Sequence, residues 1–217
     1  MNRHSPGGPG GRDSAGRDSG GPRADGGKRE RILDAAVRIF ADKGFYNAKV
    51  SEIAREAGVA DGTIYLYFKS KDDLLISLFE ARMADVNDDV RAALASAHDP
   101  VEKLRAVIRL HLSLVERNRH LAEVLTVELR QSARFMKEYS PQAFAKYLAL
   151  VGSILEEGQK KGVFRRNLDP AVFRRALFGA IDEISLEWVL RAKDAALPSP
   201  VAVGEQISEF ILRGLRV

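Results

Sequence analysis

Between Asp61 and Lys71 the chain reads DGTIYLYFKSK, which sets a carboxylate, a threonine hydroxyl, two phenols and two ammonium groups close together. Such a set suits recognition by hydrogen bonding. At ~100° per residue Ile64 and Phe68 fall on one helical face, placed to pack on Ile53, Ile39 and Phe40, while Leu66 points almost opposite, beside Thr63 and Tyr67. An exposed leucine and tyrosine need a partner, and a major-groove floor supplies one. Leu66 can touch a thymine methyl, Asp61 can accept from a cytosine amine, and Gly62 lets the backbone approach. The hydroxyls of Thr63 and Tyr67 and the ammonium groups of Lys69 and Lys71 suit phosphate oxygens, which fix register without reading sequence. An ordinary buried aromatic cluster is the competing interpretation of this stretch.

Other chemistries find less support. The four histidines, His4, His98, His111 and His120, show no metal-ligand spacing, and neither a nucleophile elbow nor a P-loop is present. Asp182 and Glu183 are adjacent, so on a helix they diverge by ~100° and cannot face each other as a catalytic dyad. The absence of cysteine removes disulfides, thiolate zinc sites and cysteine nucleophiles together. Neither a catalytic residue, a metal site nor a cofactor is expected.

The elements that must carry the DGTIYLYFKSK segment are helical. Ile32, Leu33, Ala36, Ile39 and Phe40 form one stripe that Gly44 ends. Val50, Ile53, Ala54 and Ala57 form a short second stripe stopped by Gly58, and Asp61 to Phe68 makes a third short helix beyond a turn. Two short helices behind a longer one read as helix-turn-helix. Downstream, Asp99-Pro100, Ser140-Pro141, Asp169-Pro170 and Ser199-Pro200 each set a capping oxygen before a proline suited to the first helical position. Helices are therefore expected near Lys71–Ala97, Pro100–Arg117, His120–Ala133, Pro141–Lys161, Pro170–Lys193 and Pro200–Leu215. Alternating strand patterns are absent, so the fold class is all-α.

Residues 1–27 hold 9 of the 18 glycines and no large aliphatic side chain apart from Met1, the composition of a disordered arm. The net charge of +4 is unevenly spread: +1 in residues 1–27, +3 in residues 28–71 and zero beyond. A basic first third suits phosphate contact; the neutral remainder has another job. With no apolar run near the ~18 residues of a membrane span and no secretory leader pattern, a soluble cytoplasmic protein is expected.

The run ILDAAVRIFADKGFYNAKVSEIAREAGVADGTIYLYFKSKDDLL resembles the DNA-binding domain of the TetR family of bacterial repressors. The resemblance implies a DNA-binding domain over residues 28–88, with its helix-turn-helix at about 51–70, and an effector-binding and dimerisation domain over 89–217. By it Thr63, Tyr67 and Lys71 match positions that hold the phosphate backbone, Asp61, Gly62 and Leu66 lie in the base-reading helix, and Tyr65 either braces that helix or touches DNA. Lys49, with Ser51 beside it, joins the DNA-binding set. Two departures stand out: Lys49 replaces a threonine that caps the second helix, and Ala60 replaces the serine cap of the third, each loss costing ~1 kcal/mol at a helix start.

In the neutral remainder Phe173, Leu177, Ile181, Ile184 and Trp188 form one apolar stripe, and Val203, Ile207, Phe210, Ile211 and Leu215 another. In proteins similar to TetR the final helices of two subunits pack as a four-helix bundle. A single recognition helix also reads too few base pairs, so a homodimer on near-palindromic operator DNA is expected. The segments VELRQSARFMKEY and FGAIDE resemble the FadR-type subgroup, repressors of fatty-acid degradation that respond to long-chain acyl-CoA. This implies an apolar tunnel with a basic mouth, for which Arg130, Gln131, Phe135, Phe178 and Trp188 are candidates, with Arg109 or Arg119 meeting phosphate. Three alternatives stay open: a structural ion pair of Arg130 with Asp182 or Glu183, another hydrophobic effector, and a helical module that binds protein instead of DNA.

Overall fold

The computed structural model describes residues 22–191 and 198–217. Helix α1 (Pro22–Asn47) buries Ile32, Leu33, Ala36 and Phe40 completely, at the three- and four-residue spacing of one helical face. It begins before Lys28, so residues 22–27, expected within the arm, are helical; residues 1–21 lie outside the described residues. At Gly44 the backbone turns left-handed (φ 76°), a conformation a β-carbon disfavours, and the chain leaves the helix toward α2 (Val50–Ala57). That helix stops at left-handed Gly58, where the amides of Gly58 and Val59 donate to the carbonyls of Arg55 and Ala54. Helix α3 (Asp61–Tyr67) follows, and Ile64 and Phe68 join Ile53 and Phe40 in the core as their spacing requires. Helix α4 (Lys71–Ser96) opens on a reciprocal cap: Ser70 accepts from the Asp73 amide (3.1 Å), and the Asp73 carboxylate accepts from the Lys69 amide (2.8 Å).

The body comprises α5 (Pro100–Arg117), α6 (Arg119–Thr126), a 3-10 turn (Glu128–Gln131), α7 (Ala133–Glu138), α8 (Gln142–Lys160), α9 (Pro170–Leu190) and α10 (Pro200–Leu215). Asp99, Asp169 and Ser199 cap their helices as the Asp-Pro and Ser-Pro pairs predict. Ser140-Pro141 does not: Pro141 itself takes the cap position, no side chain caps, and the helix starts at Gln142. The single helix expected over His120–Ala133 is also broken. The buried Glu128 carboxylate turns inward to accept from the Phe45 amide (2.5 Å), and Ser132 starts a new helix by accepting from the Phe135 amide (3.1 Å). Helix α9 ends at Leu190, short of the expected Lys193, with Arg119 donating to the carbonyls of Val189 and Arg191.

Among the described residues the extended pairing consists of one isolated bridge, Phe164 with Arg216, beside which the Arg165 amide donates to the Leu215 carbonyl (2.9 Å). Helix α10 lies along α5, and only part of its predicted stripe turns inward: Leu215 is buried and Ile211 packs against the core. Gly204, Ser208, Leu212 and Leu215 are buried, while Val203 and Ile207 are half-buried and Phe210 is 80% exposed. Small residues win the contact because they allow close approach: a β-carbon on Gly204 would come within 2.8 Å of Leu112. The same constraint is stronger at Gly158 in α8, where a β-carbon would meet the buried Phe164 ring at 1.9 Å. Gly158→Ala is therefore expected to displace Phe164 and destabilise the fold by about 1–3 kcal/mol, measured as a lowered urea midpoint with unchanged slope.

Candidate nucleic-acid interface and apolar cavity

Helices α1 to α3 form a compact head whose third helix turns its polar face outward. Leu66 is 82% exposed and Tyr65 60%, with Asp61, Gly62 and Lys69 also at the surface, whereas Ile64 and Phe68 are buried anchors. A concave groove of about 610 Å³ gathers Lys49, Ser51, Asp61, Tyr65, Lys69 and Lys71 from the start of α2, from α3 and from the turn into α4. Thr63 and Tyr67 are half-buried; Tyr67, expected to be exposed, packs against the core and against the Phe68 ring. Tyr67 follows the buried Ile64 by three residues and so lies ~60° from that inner face, which draws it toward the core.

The caps lost to Lys49 and Ala60 have different outcomes. At α2 the Glu52 carboxylate accepts from the Lys49 amide (3.2 Å), so the helix start is held from within. A hydrogen bond from Lys43 (2.6 Å) and the Lys49 amide hold the Glu52 carboxyl below its usual range. At α3 no side chain replaces the cap, and the Thr63 amide turns back to the Ala60 carbonyl (2.8 Å).

Lys71 departs from its expected role. Its ammonium donates to the carbonyls of Phe45 (2.6 Å), Tyr46 (3.0 Å) and Ala48 (3.1 Å) and lies 4.8 Å from the Phe45 ring centroid. All three protons are thus engaged in closing the connection between α1 and α2, so Lys71 shapes the groove from within rather than reaching for phosphate. The same connection is clasped from the body side. Glu128 takes the Phe45 amide, the Tyr46 hydroxyl donates to the Gln131 carbonyl (2.7 Å), and the Ser132 hydroxyl donates to Asp72 (2.6 Å).

Within the body, α4, α5 and α6 line a cavity of about 270 Å³ that opens to solvent past the exposed Asp85, Asp89, Arg117 and Asn118. Met83, Val86, Leu114, Val115, Leu121, Ala122 and Leu125 make its apolar wall, and Arg82, Asp85, Asp89 and Arg117 carry the charges around it. His111 also lines it, with Nδ1 3.0 Å from the Tyr147 hydroxyl. Burial holds the His111 imidazole down to about 4, so it is neutral near pH 7, and pushes the Tyr147 phenol far above its usual range.

None of the seven candidate ligand residues is on this wall. Arg109 pairs with Glu205 of α10 (2.5 Å). Arg119 closes the end of α9 and lies 5.1 Å from the Trp188 ring centroid, so those two candidates form one structural clasp. Arg130 pairs with Asp182 (2.5 Å), the structural ion pair that was the alternative, and Gln131 donates to Glu128 (3.0 Å). Phe135 and Phe178 come nearest, because both belong to an aromatic cluster in which Phe79 and Phe144 join them and which reaches His111. Sequence reasoning missed Arg82 and His111. His111 is a lone polar residue on the inner face of an apolar helix, the signal that could have found it; Arg82 sits among Asp85 and Asp89 on α4 and carries no such local signal.

An outward-facing third helix on a basic head, joined by one long helix to a larger body that holds an apolar-walled cavity, defines a helix-turn-helix regulator. The pattern of the tetR family of bacterial regulatory proteins matches residues 32–78, and that of the YsiA-like C-terminal region matches residues 79–214. The fatty acid metabolism regulator protein of Bacillus subtilis is 38% identical over 188 residues, spanning 87% of this chain and 95% of that protein. The fatty acid degradation regulator FadR of Bacillus halodurans superimposes with a TM-score of 0.77 at 39% identity, over 86% of this chain and 99% of its own. FadR from Bacillus subtilis, solved in complex with stearoyl-CoA, gives 0.79 at 37% identity, over 85% and 98%. The chain belongs to the TetR family; it is a transcriptional regulator of the FadR type and not an enzyme.

Two lysines in one groove should separate by experiment. Lys69→Ala is expected to leave stability nearly unchanged and to reduce the slope of log affinity for DNA against log salt by about 1. Lys71→Ala strands three carbonyls and is expected to cost about 1–3 kcal/mol in thermal unfolding. His111 supplies a pH signature. It stays neutral in the folded chain down to about pH 4 but takes a proton near its ordinary 6.5 when unfolded. Its contribution is intact above pH 6.5 and lost as pH falls toward 4, by on the order of 2 kcal/mol because part of the ring faces the cavity. Melts of His111→Phe should show a flatter slope across that window.

Proposed function

We propose that the protein is a cytoplasmic, homodimeric repressor that binds operator DNA through α3 and is released by a long-chain acyl-CoA whose acyl chain enters the α4–α5–α6 cavity. The observation that carries this reading is that the cavity's apolar wall includes α4, the helix that also begins beside the recognition helix. The Bacillus subtilis relative in complex with stearoyl-CoA supports the ligand class. At about 270 Å³ the cavity falls just below the ~300–1,000 Å³ of typical ligand pockets, so a long chain also needs room from the aromatic cluster beyond His111. Arg117, exposed at the C-terminal end of α5, is the cation placed to meet CoA phosphates.

The Lys49, Ser51 and Lys69 side chains act on phosphate, with Thr63 and Tyr67 at the edge of the same surface. Asp61, Gly62, Tyr65 and Leu66 face the bases. The division into a DNA-binding domain over residues 28–88 and an effector domain over 89–217 places α4 across the boundary, as a link between the two. Dimerisation falls to the outer faces of the last helices, where Val172, Leu190 and Phe210 are exposed.

A second reading, an uncharged hydrophobic effector, is favoured by the charges around the cavity, where Asp85 and Asp89 offset Arg82 and Arg117. Fluorescence anisotropy of a labelled fragment from the gene's own upstream region tests both. Binding is expected to weaken steeply with salt and to be lost on adding palmitoyl-CoA but not hexadecanol. Release by hexadecanol alone selects the uncharged effector, and binding indifferent to both removes the hydrophobic-effector reading.

A further inference from the structure

Arg82 stands where the cavity and the head meet. Its side chain lines the cavity between α4, α5 and α6. Its guanidinium pairs with Glu30 and with Asp34 (2.8 Å), both on α1, and with Asp85 (3.2 Å) on its own helix. Glu30 and Asp34 are one turn apart, so one planar guanidinium reaches both. The arginine side chain is only 15% exposed, against 47% and 54% for its α1 partners: the cation belongs to the wall, and the carboxylates are the movable surface ends. Burial opposes its charge, but the neighbouring carboxylates outweigh that and hold its protonation above the usual arginine range.

We propose that Arg82 is the positioning residue that signals occupancy of the cavity to the DNA-binding head: a ligand filling the cavity displaces the Arg82 side chain and deprives Glu30 and Asp34 of their cation. The proposal rests on the reading that a hydrophobic effector enters this cavity. Ligand and latch compete for one side-chain position. By linkage, the factor by which the latched head weakens ligand binding is the factor by which ligand weakens the latched head. Helix α1 also carries Ile32, Leu33 and Phe40 of the head core, so a displaced α1 takes the recognition helix with it.

The test is the ratio of DNA affinities without and with saturating palmitoyl-CoA, measured by anisotropy at fixed salt on the full chain. Two variants are compared with the native protein, Arg82→Gln and the double variant Glu30→Gln with Asp34→Asn. The double variant leaves the cavity wall intact and breaks only the α1 side of the latch; taking a ratio cancels its general gain in affinity from added positive charge. Both variants are expected to reduce the ratio by about 5-fold or more while palmitoyl-CoA affinity, read by calorimetry, holds or tightens. A double variant that responds as fully as the native protein overturns the latch and leaves the effector reading standing. A native protein indifferent to both palmitoyl-CoA and hexadecanol removes that reading and the proposal together, a result distinguishable from the first.

Discussion

The architecture depends on satisfying the backbone where α1 ends. At Gly44 the helix kinks, and from Phe45 to Ala48 the chain crosses the junction of head and body with the Phe45 amide and the Phe45, Tyr46 and Ala48 carbonyls turned to side chains. A buried amide or carbonyl left unpaired costs about 1–3 kcal/mol, so several in succession would undo the junction. Two side chains far apart in sequence supply what is needed. The Lys71 ammonium takes three carbonyls from one side, and the Glu128 carboxylate takes the Phe45 amide from the other. Their charges are of opposite sign because the backbone offers acceptors to one and a donor to the other. The packing of α2 and α3, and hence the outward aim of Leu66, follows from the path they fix.

This explains why the middle of the body is not one uninterrupted helix. The break at Val127, the tight turn and the fresh start at Ser132 aim Glu128, Gln131 and Ser132 toward the head. Arg130, from the same turn, is left to hold Asp182 on α9. One short segment thus touches the head on one side and the last long helices on the other.

The head was legible from the sequence because its signals are local. Ile64 and Phe68 against Leu66 is a contrast settled by helical spacing alone, and left-handed glycines mark their own turns. The caps at Asp99, Asp169 and Ser199 are equally local, each oxygen meeting an amide two or three residues on. The body resisted because its decisive contacts are distant. Lys71 looks like any surface cation until Phe45, 26 residues earlier, is folded beside it. Arg109, Arg119 and Arg130 each answer a partner at least 52 residues away, so composition offered them to a ligand that spatial neighbours had already replaced. On α10 the apolar stripe was visible, but the closer approach offered by Gly204 and Ser208 decided which face turned inward.

Helix α4 runs unbroken from Lys71 to Ser96, and Lys71 and Arg82 are separated on it by about 16 Å of helical rise. It is therefore a lever arm. A rotation of about 5° about Arg82 would swing the Lys71 end by roughly 1.4 Å, half the length of a hydrogen bond, without breaking any bond inside the helix. Two such levers in a symmetric pair would move opposite ways, and the separation of the two reading helices would change by up to twice that distance.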